Sequence, residues 1–578
     1  MAAALIDLVP PRLGPGVRNP EATPAGAATQ PIPTVLTGPP HALAAFHVSV
    51  MPGQEKLQLQ WSYATTSPHV DELNLALYTV VRGVPYIVAR TAVGNTVEGD
   101  TYTIPMPVGS WLVKATPQNN AGYGPESTSP VMTVTNPCHG GDLCVTATPV
   151  SHPATVRLAG EGFLLSAPTS GGKLRNASAV TPLDPRQWRF SGSSSDPGVR
   201  GVHASRTQIL SDLWNNTTAP GNDGYARTPW SNWGAWQNFV EQTVRTAERQ
   251  GWAPDYWDVW NEPNGTCCPK FSPADQHTIS VSRWLETYEL AWQAIKAVDK
   301  NAKVIGPSLS ALQWAPGSPA EFDLDTFLAF STAHHLRWDA ISWHENTSAP
   351  SPGDMWTAMT NVDHHIAMAK AVMAKHPGTV AGNTIMINEY DAADTHLLAG
   401  WSVGFFTAFE NDGVQQANLA CWTGTDCTTY LDGLLTPAGA TTAAWWAHRL
   451  YTELGGEPRL AVNSTADWQV SGLATRDDKT HTVRVLLGRH WTCNNKVNAW
   501  CTNPQATVPA ASVALTINWP YGRAPASVTV QRVPAGTGAV YSVPSVHATV
   551  KRVSASQISV VVPGVQDGDA LWVVAHSG

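Results

Sequence analysis

The period at which apolar residues recur changes twice along the chain, and the changes divide it. Over 41–136, short segments such as LQLQWSY, LNLALYTVVRG, VPYIVART, YTIPM and SWLVKAT alternate apolar and polar residues and are separated by turn residues. Such alternation predicts a β-sandwich. From about 150 to 455, strand-like segments (ATVRLAG, RQWRFSG, TQILSDLW, YWDVWNE, AKVIGPS, DAISWHE, TIMINEY, QQANLACW) alternate with helical repeats such as WGAWQNFVEQTVRTAERQG, SRWLETYELAWQAIKAVDK, HHIAMAKAVMAKH and TTAAWWAHRLYTELG. That rhythm predicts an α/β fold, a parallel (β/α)8 TIM barrel assigned to residues 137–455. After Gly456 the helical period ceases, and HTVRVLLGRHW, SVALTINW, ASVTVQRV, QISVVV and DALWVVA predict a second all-β domain over 456–578. Residues 1–40, rich in Pro, Ala, Gly and Thr, offer little to bury and read as a linker or strap.

Charged residues make up 14% of the chain, and the net charge of -9 leaves no basic footprint for nucleic acid. No apolar run reaches the roughly 18 residues that a membrane helix needs. The first residues lack a basic start and a long apolar stretch, so an export leader is expected to lie outside the sequence. The cysteines argue for a secreted or extracytoplasmic protein. Cys138 with Cys144, Cys421 with Cys427 and Cys493 with Cys501 can each close a short disulfide loop. Adjacent Cys267 and Cys268 form either a vicinal disulfide or two free thiols. No couple has zinc spacing with histidines nearby, so neither a metal nor a cofactor is expected. Oligomeric state stays open.

A TIM barrel carries its reactive groups at the C-terminal strand ends. By that rule Arg189 follows the second strand, Asp212 and Trp214 the third, and Asn261 and Glu262 the fourth. His344 and Glu345 follow the sixth, Asn388 and Glu389 the seventh, and Trp422 the eighth. Glu262 and Glu389 would face each other across the mouth. Cleaving a glycosidic bond requires such a pair, one carboxyl protonated to donate to the leaving oxygen and one ionised to attack or stabilise the anomeric carbon. A lone strand-end glutamate would more simply pair with an arginine, and Arg189 is either a barrel salt-bridge partner or a positioner of Glu389. The pairs His334-His335 and His364-His365 read as solvated helix faces. The sequon at Asn264, if it lines the cleft, is expected to go unused. No G-x-S-x-G, Walker or H-E-x-x-H motif is present.

WDVWNEPNG at 257–265, followed by IMINEY at 385–390, resembles the acid/base and nucleophile motifs of retaining glycosidases of clan A, and most closely glycoside hydrolase family 39, which includes β-xylosidases and α-L-iduronidases. The resemblance runs from about 180 to 455. It implies Glu262 as acid/base, Glu389 as nucleophile at a carboxyl separation of about 5 Å, and Asn261 on the sugar 2-hydroxyl. Trp260 and Trp422 would offer flat faces to a sugar, with Arg189, His344 and Glu345 as further substrate-binding candidates. The substrate implied is a xyloside, arabinoside or galactoside linkage of an oligo- or polysaccharide. An inactive carbohydrate-binding or adhesion protein and a transglycosylase are the alternatives. Segment 41–136, with Trp61 early and KATPQNNAGYGPES late, resembles a fibronectin type III module and reads as a spacer. The GTCCPKFSPADQ loop departs from the family.

Overall fold

The computed structural model describes residues 38–577 apart from 95–100, 139–141, 165–168, 171–172, 191–203, 219–228, 264–279, 313–322, 348–357, 393–397, 421–430, 491–509 and scattered single positions. Trp422, Asn264, Cys267, Cys268, Cys421, Cys427, Cys493 and Cys501 therefore lie outside the described residues.

In the N-terminal unit, Leu43–Val50, Lys56–Tyr63 and Thr101–Pro105 form one sheet, while Val84–Gly94, Glu72–Val81 and Gly109–Asn119 form the body of another. Every second residue points inward, so Leu57, Leu59 and Trp61 of one sheet meet Leu73, Leu75, Leu77 and Val113 of the other in a shared core.

The barrel is closed and parallel. Its strands are β1 (Gly162–Leu164), β2 (Gln187–Phe190), β3 (Ser205–Ile209), β4 (Tyr256–Asp258), β5 (Val304–Leu309), β6 (Ala340–Thr347), β7 (Ile385–Ala392) and β8 (Gln416–Leu419). Around it run α1 (Leu210–Thr218), α2 (Trp233–Arg249), α3 (Val281–Val298), α4 (Leu324–Ala333), α5 (Ala358–Lys375), α6 (Ala399–Asp412) and α7 (Ala443–Thr452). Asn232 and Ser280 cap α2 and α3, their side chains accepting from Ala235 N and Arg283 N. The first strand is not ATVRLAG but the GFL beyond it. Val156 and Leu158 of the expected strand instead pack with Tyr451 and Leu454 beside the C-terminal domain.

The boundary at residue 137 also moves. Strand Leu143–Thr148, which opens the segment expected to be barrel, pairs antiparallel with Arg459–Ser464 and parallel with Ala511–Asn518 inside the C-terminal sheet. Its inward residues Leu143, Val145 and Ala147 join that domain's core. Cys138 and Cys144 form a disulfide at its start, with Cα atoms 5.3 Å apart.

Both β-units grip their neighbours. Helix α6 is buried from Ala399 to Glu410, packed between barrel and C-terminal sheet. Glu55, in the turn joining the first two N-terminal strands, is 3% exposed and accepts from Gln469 Nε2 at 3.0 Å. Its backbone N–H donates to Thr465, and Lys56 pairs with Asp467. Burial pushes the Glu55 carboxyl up from 4.5 to about 7. The folded state thus holds an extra proton between those values, and stability falls as pH rises across that window. The full shift corresponds to about 3 kcal/mol. Glu55→Gln is expected to flatten this dependence, read as wild-type and variant melting temperatures converging at pH 5 and separating at pH 8 in the variant's favour.

Candidate active site

Asp258, the last residue of β4, points into the barrel, while Trp257 before it packs outward on Trp252. Beyond Asp258 the chain turns sharply. Glu262 has φ 49°, a left-handed conformation that costs a non-glycine residue on the order of 1 kcal/mol and persists only where neighbours enforce it. Three contacts do so: Glu262 N donates to Ser308 O at 2.9 Å, Asn261 N to Ser211 Oγ at 3.2 Å, and Tyr288 Oη to Trp260 O at 3.2 Å.

Two irregular strand pairings bring further groups inward. Along β6 and β7 the register advances from Trp343 opposite Ile387 to His344 opposite Glu389, so Asn388 is an extra residue. Bulges of this kind re-aim side chains. Asn388 and Glu389 both reach the interior, whereas regular alternation would send one of them out. Ser308 is the matching extra residue in β5.

The buried guanidinium of Arg189 ties the pieces together. Its Nη1 donates to Glu389 Oε1 at 2.8 Å, its Nη2 to Asn261 Oδ1 at 2.7 Å, and its Nε and Nη2 to Asp258 Oδ2 at 2.9 and 2.7 Å. Burial alone would pull the guanidinium down, but Asp258 and Glu389 more than offset it and hold Arg189 above its ordinary value. His344 Nδ1 lies 2.8 Å from Glu262 Oε1 and 3.4 Å from Glu389 Oε2. Its Nε2 is buried without a hydrogen-bond partner among the described residues. One oxygen of each glutamate and one His344 nitrogen lie within 4.8 Å of one another. The Glu262 side chain is 14% exposed and that of Glu389 3%. Such a trio is compact enough for a cation, but Arg189 already supplies positive charge at Glu389, which disfavours a divalent ion there.

The structure thus brings together Arg189, Asn261, Glu262, His344 and Glu389. It does not bring Glu345 to them. By the two-residue period of β6, Glu345 faces outward like Trp343, where it accepts from Trp343 Nε1 and bonds His365 Nδ1 at 2.9 Å. His365, expected on a solvated face, is accordingly buried. His334 is partly exposed and pairs with Glu289. Trp260 is 7% exposed and packs edge-on against Trp236 of α2, so it belongs to the layer between barrel and helices. Trp214 lies in the same aromatic layer, and Asp212 sits beside Ser211 at the start of α1. Sequence reasoning missed Asp258 and Ser308 as parts of the site. An acidic residue at an inward strand position was the available signal, since a buried carboxylate requires a cationic partner.

Residues 226–401 match the family model for glycosyl hydrolases family 39, a span that includes Glu262, His344 and Glu389 and stops short of Arg189. No curated protein matches the chain. Among solved structures, N2152 from Neocallimastix frontalis aligns over 75% of this chain and 99% of its own, with 20% identity and a TM-score of 0.56. The glucosidase from Croceicoccus marinus aligns over 75% and 98%, with 14% identity and a TM-score of 0.52. The monomeric β-xylosidase from Caulobacter crescentus aligns over 75% and 99%, with 14% identity and a TM-score of 0.50. These structures share the fold, and together with the family match they place the chain among the glycoside hydrolases.

Proposed function

We propose that this glycoside hydrolase cleaves its substrate with retention, Glu262 serving as acid/base and Glu389 as nucleophile. The observation that carries the reading is the closeness of the two carboxylates, whose oxygens come within 4.8 Å. Retaining enzymes keep their carboxyl groups about 5 to 5.5 Å apart, whereas inverting ones leave room for a water between them. Burial and charge divide the roles. Glu389, anchored by Arg189 and barely exposed, is fixed as an anion aimed at the anomeric carbon. Glu262, more exposed and bonded to His344, can hold a proton and later receive one from water.

In the first step Glu389 bonds to the anomeric carbon as the glycosidic C–O bond breaks and the leaving oxygen takes the Glu262 proton. In the second, Glu262 removes a proton from water, which displaces Glu389. Asn261, held by Arg189, is read as the partner of the sugar 2-hydroxyl. A xyloside, arabinoside or galactoside of an oligo- or polysaccharide is the substrate proposed. The N-terminal sandwich is read as a fibronectin type III-like spacer, and the Cys138–Cys144 disulfide supports an extracytoplasmic location.

A panel of 4-nitrophenyl xylosides, arabinosides, galactosides, glucosides and uronides, followed by NMR of the first-formed sugar, tests the reading. The starting anomer is expected first; the opposite anomer overturns retention, and no turnover on glycosides or polysaccharides favours a binding protein. Glu262→Gln is expected to slow methyl glycosides about 10²- to 10⁴-fold, as loss of general acid catalysis does. Its kcat/KM for 2,4-dinitrophenyl glycosides, which need little protonation, is expected to change far less.

A further inference from the structure

Neither covalent step uses Asp258, yet it is fully buried and accepts four hydrogen bonds. Two come from Arg189, one from Asn388 Nδ2 at 2.9 Å and one from Ser308 Oγ at 2.6 Å. Asn388 Nδ2 also donates to Ser308 Oγ at 2.7 Å, which closes the cluster. Ser308 is the extra residue of β5 opposite β6 and Asn388 that of β7 opposite β6, so each of these two bulges delivers a donor to this one carboxylate.

Resting on the retaining reading above, we propose that Asp258 is a positioning residue, the standing counter-ion of Arg189 through the catalytic cycle. In the free enzyme the guanidinium is shared by two anions, Asp258 and Glu389, and no side chain of this trio is more than 3% exposed. When Glu389 bonds to the anomeric carbon its negative charge is consumed, because an ester carries none. Without a second anion, Arg189 would then be left buried and uncompensated, a state strongly disfavoured away from water. Asp258 prevents this. The orientation of the fork follows: Nε and Nη2 go to the permanent partner, and only Nη1 goes to the one whose charge is transient. Asp258 therefore acts on glycosylation, the step that removes charge from Glu389, and not on deglycosylation, which restores it.

The test separates the two half-reactions in the full-length protein. With the 2,4-dinitrophenyl glycoside of the sugar selected by the panel, Asp258→Asn is expected to lower kcat/KM, which reports glycosylation, about a hundredfold or more. Turnover of the glycosyl-enzyme trapped with the matching 2-deoxy-2-fluoro glycoside is expected to be unchanged or faster. Should Asp258→Asn fail to fold, Ser308→Ala loosens Asp258 without altering charge, and about a tenfold effect with the same selectivity is expected. Equal slowing of both half-reactions, or an unmoved kcat/KM, overturns the role of Asp258. Failure of the wild-type enzyme to become labelled at Glu389, read by peptide mass, instead overturns retention and the counter-ion role with it.

Discussion

Glu389→Gly is expected to lower turnover of an aryl glycoside about 10⁴-fold or more, equivalent to about 5 kcal/mol of transition-state stabilisation, and added azide to restore much of it. The side chain is almost wholly buried, so its removal leaves a small cavity beside Arg189, facing the site and lined with positive charge. Azide is small and anionic enough to occupy it and to attack the anomeric carbon from the face Glu389 would have used. The glycosyl azide formed is expected to have the anomeric configuration opposite to that of the substrate, which NMR reads directly. Glu345→Gly is the control. That carboxylate is also buried, but on the outer face of β6 against Trp343 and His365. Its loss is expected to lower the melting temperature without opening any route for azide rescue. Azide rescue in Glu345→Gly with none in Glu389→Gly would exchange the two roles.

Gly400→Val is expected to destabilise the fold by more than about 4 kcal/mol, in the range reserved for severe overpacking, and to lower the melting temperature on the order of 10 °C. A Cβ at Gly400 would lie 2.1 Å from Arg489 O and 2.5 Å from Asp569 O, both backbone atoms that cannot rotate aside. The contact is two-sided, since a Cβ at Gly488 would lie 2.2 Å from Gly400 O. Helix α6 thus lies backbone against backbone on the C-terminal sheet, with Gly400 N donating to Gly568 O at 2.8 Å. Calorimetry of Gly400→Val against wild type decides the matter, and a shift of only a degree or two would show that the contact can relax.

Much of this was legible in the sequence because it rests on local periodicity. The barrel strands carrying Arg189, Glu262, His344 and Glu389 follow from alternation and spacing, and the structure gathers those four residues at one point. Features set by tertiary context were not legible. Helix α6 has no polar stripe, because barrel and sheet cover it on opposite sides, so its sequence shows no helical period. Strand β1 is three residues long, too short to alternate, and Gly162 is pressed against the backbone of Ala417. Glu345 and Glu389 are both strand-end glutamates, and only counting outward from Trp343 separates them. Bulges at Ser308 and Asn388 shift side chains by one position, which no periodicity within a single strand reveals.

The strand Leu143–Thr148 has a consequence for how the chain is made. Both chain crossings between barrel and C-terminal sheet lie side by side, with Thr155 bridged to Pro458 and Val156 to Gly455. The enzyme domain is in effect an insertion into the β-domain, between that domain's first strand and its second. During synthesis Leu143–Thr148 leaves the ribosome early and must wait, with its edges unpaired, for the whole barrel to follow. Asp142 meets Ser512 only across 370 residues. Long-range closures of this kind are slow and leave strand edges exposed to wrong partners. The disulfide of Cys138 and Cys144 spans only 6 residues at that strand's start, so its closure needs none of those distant partners.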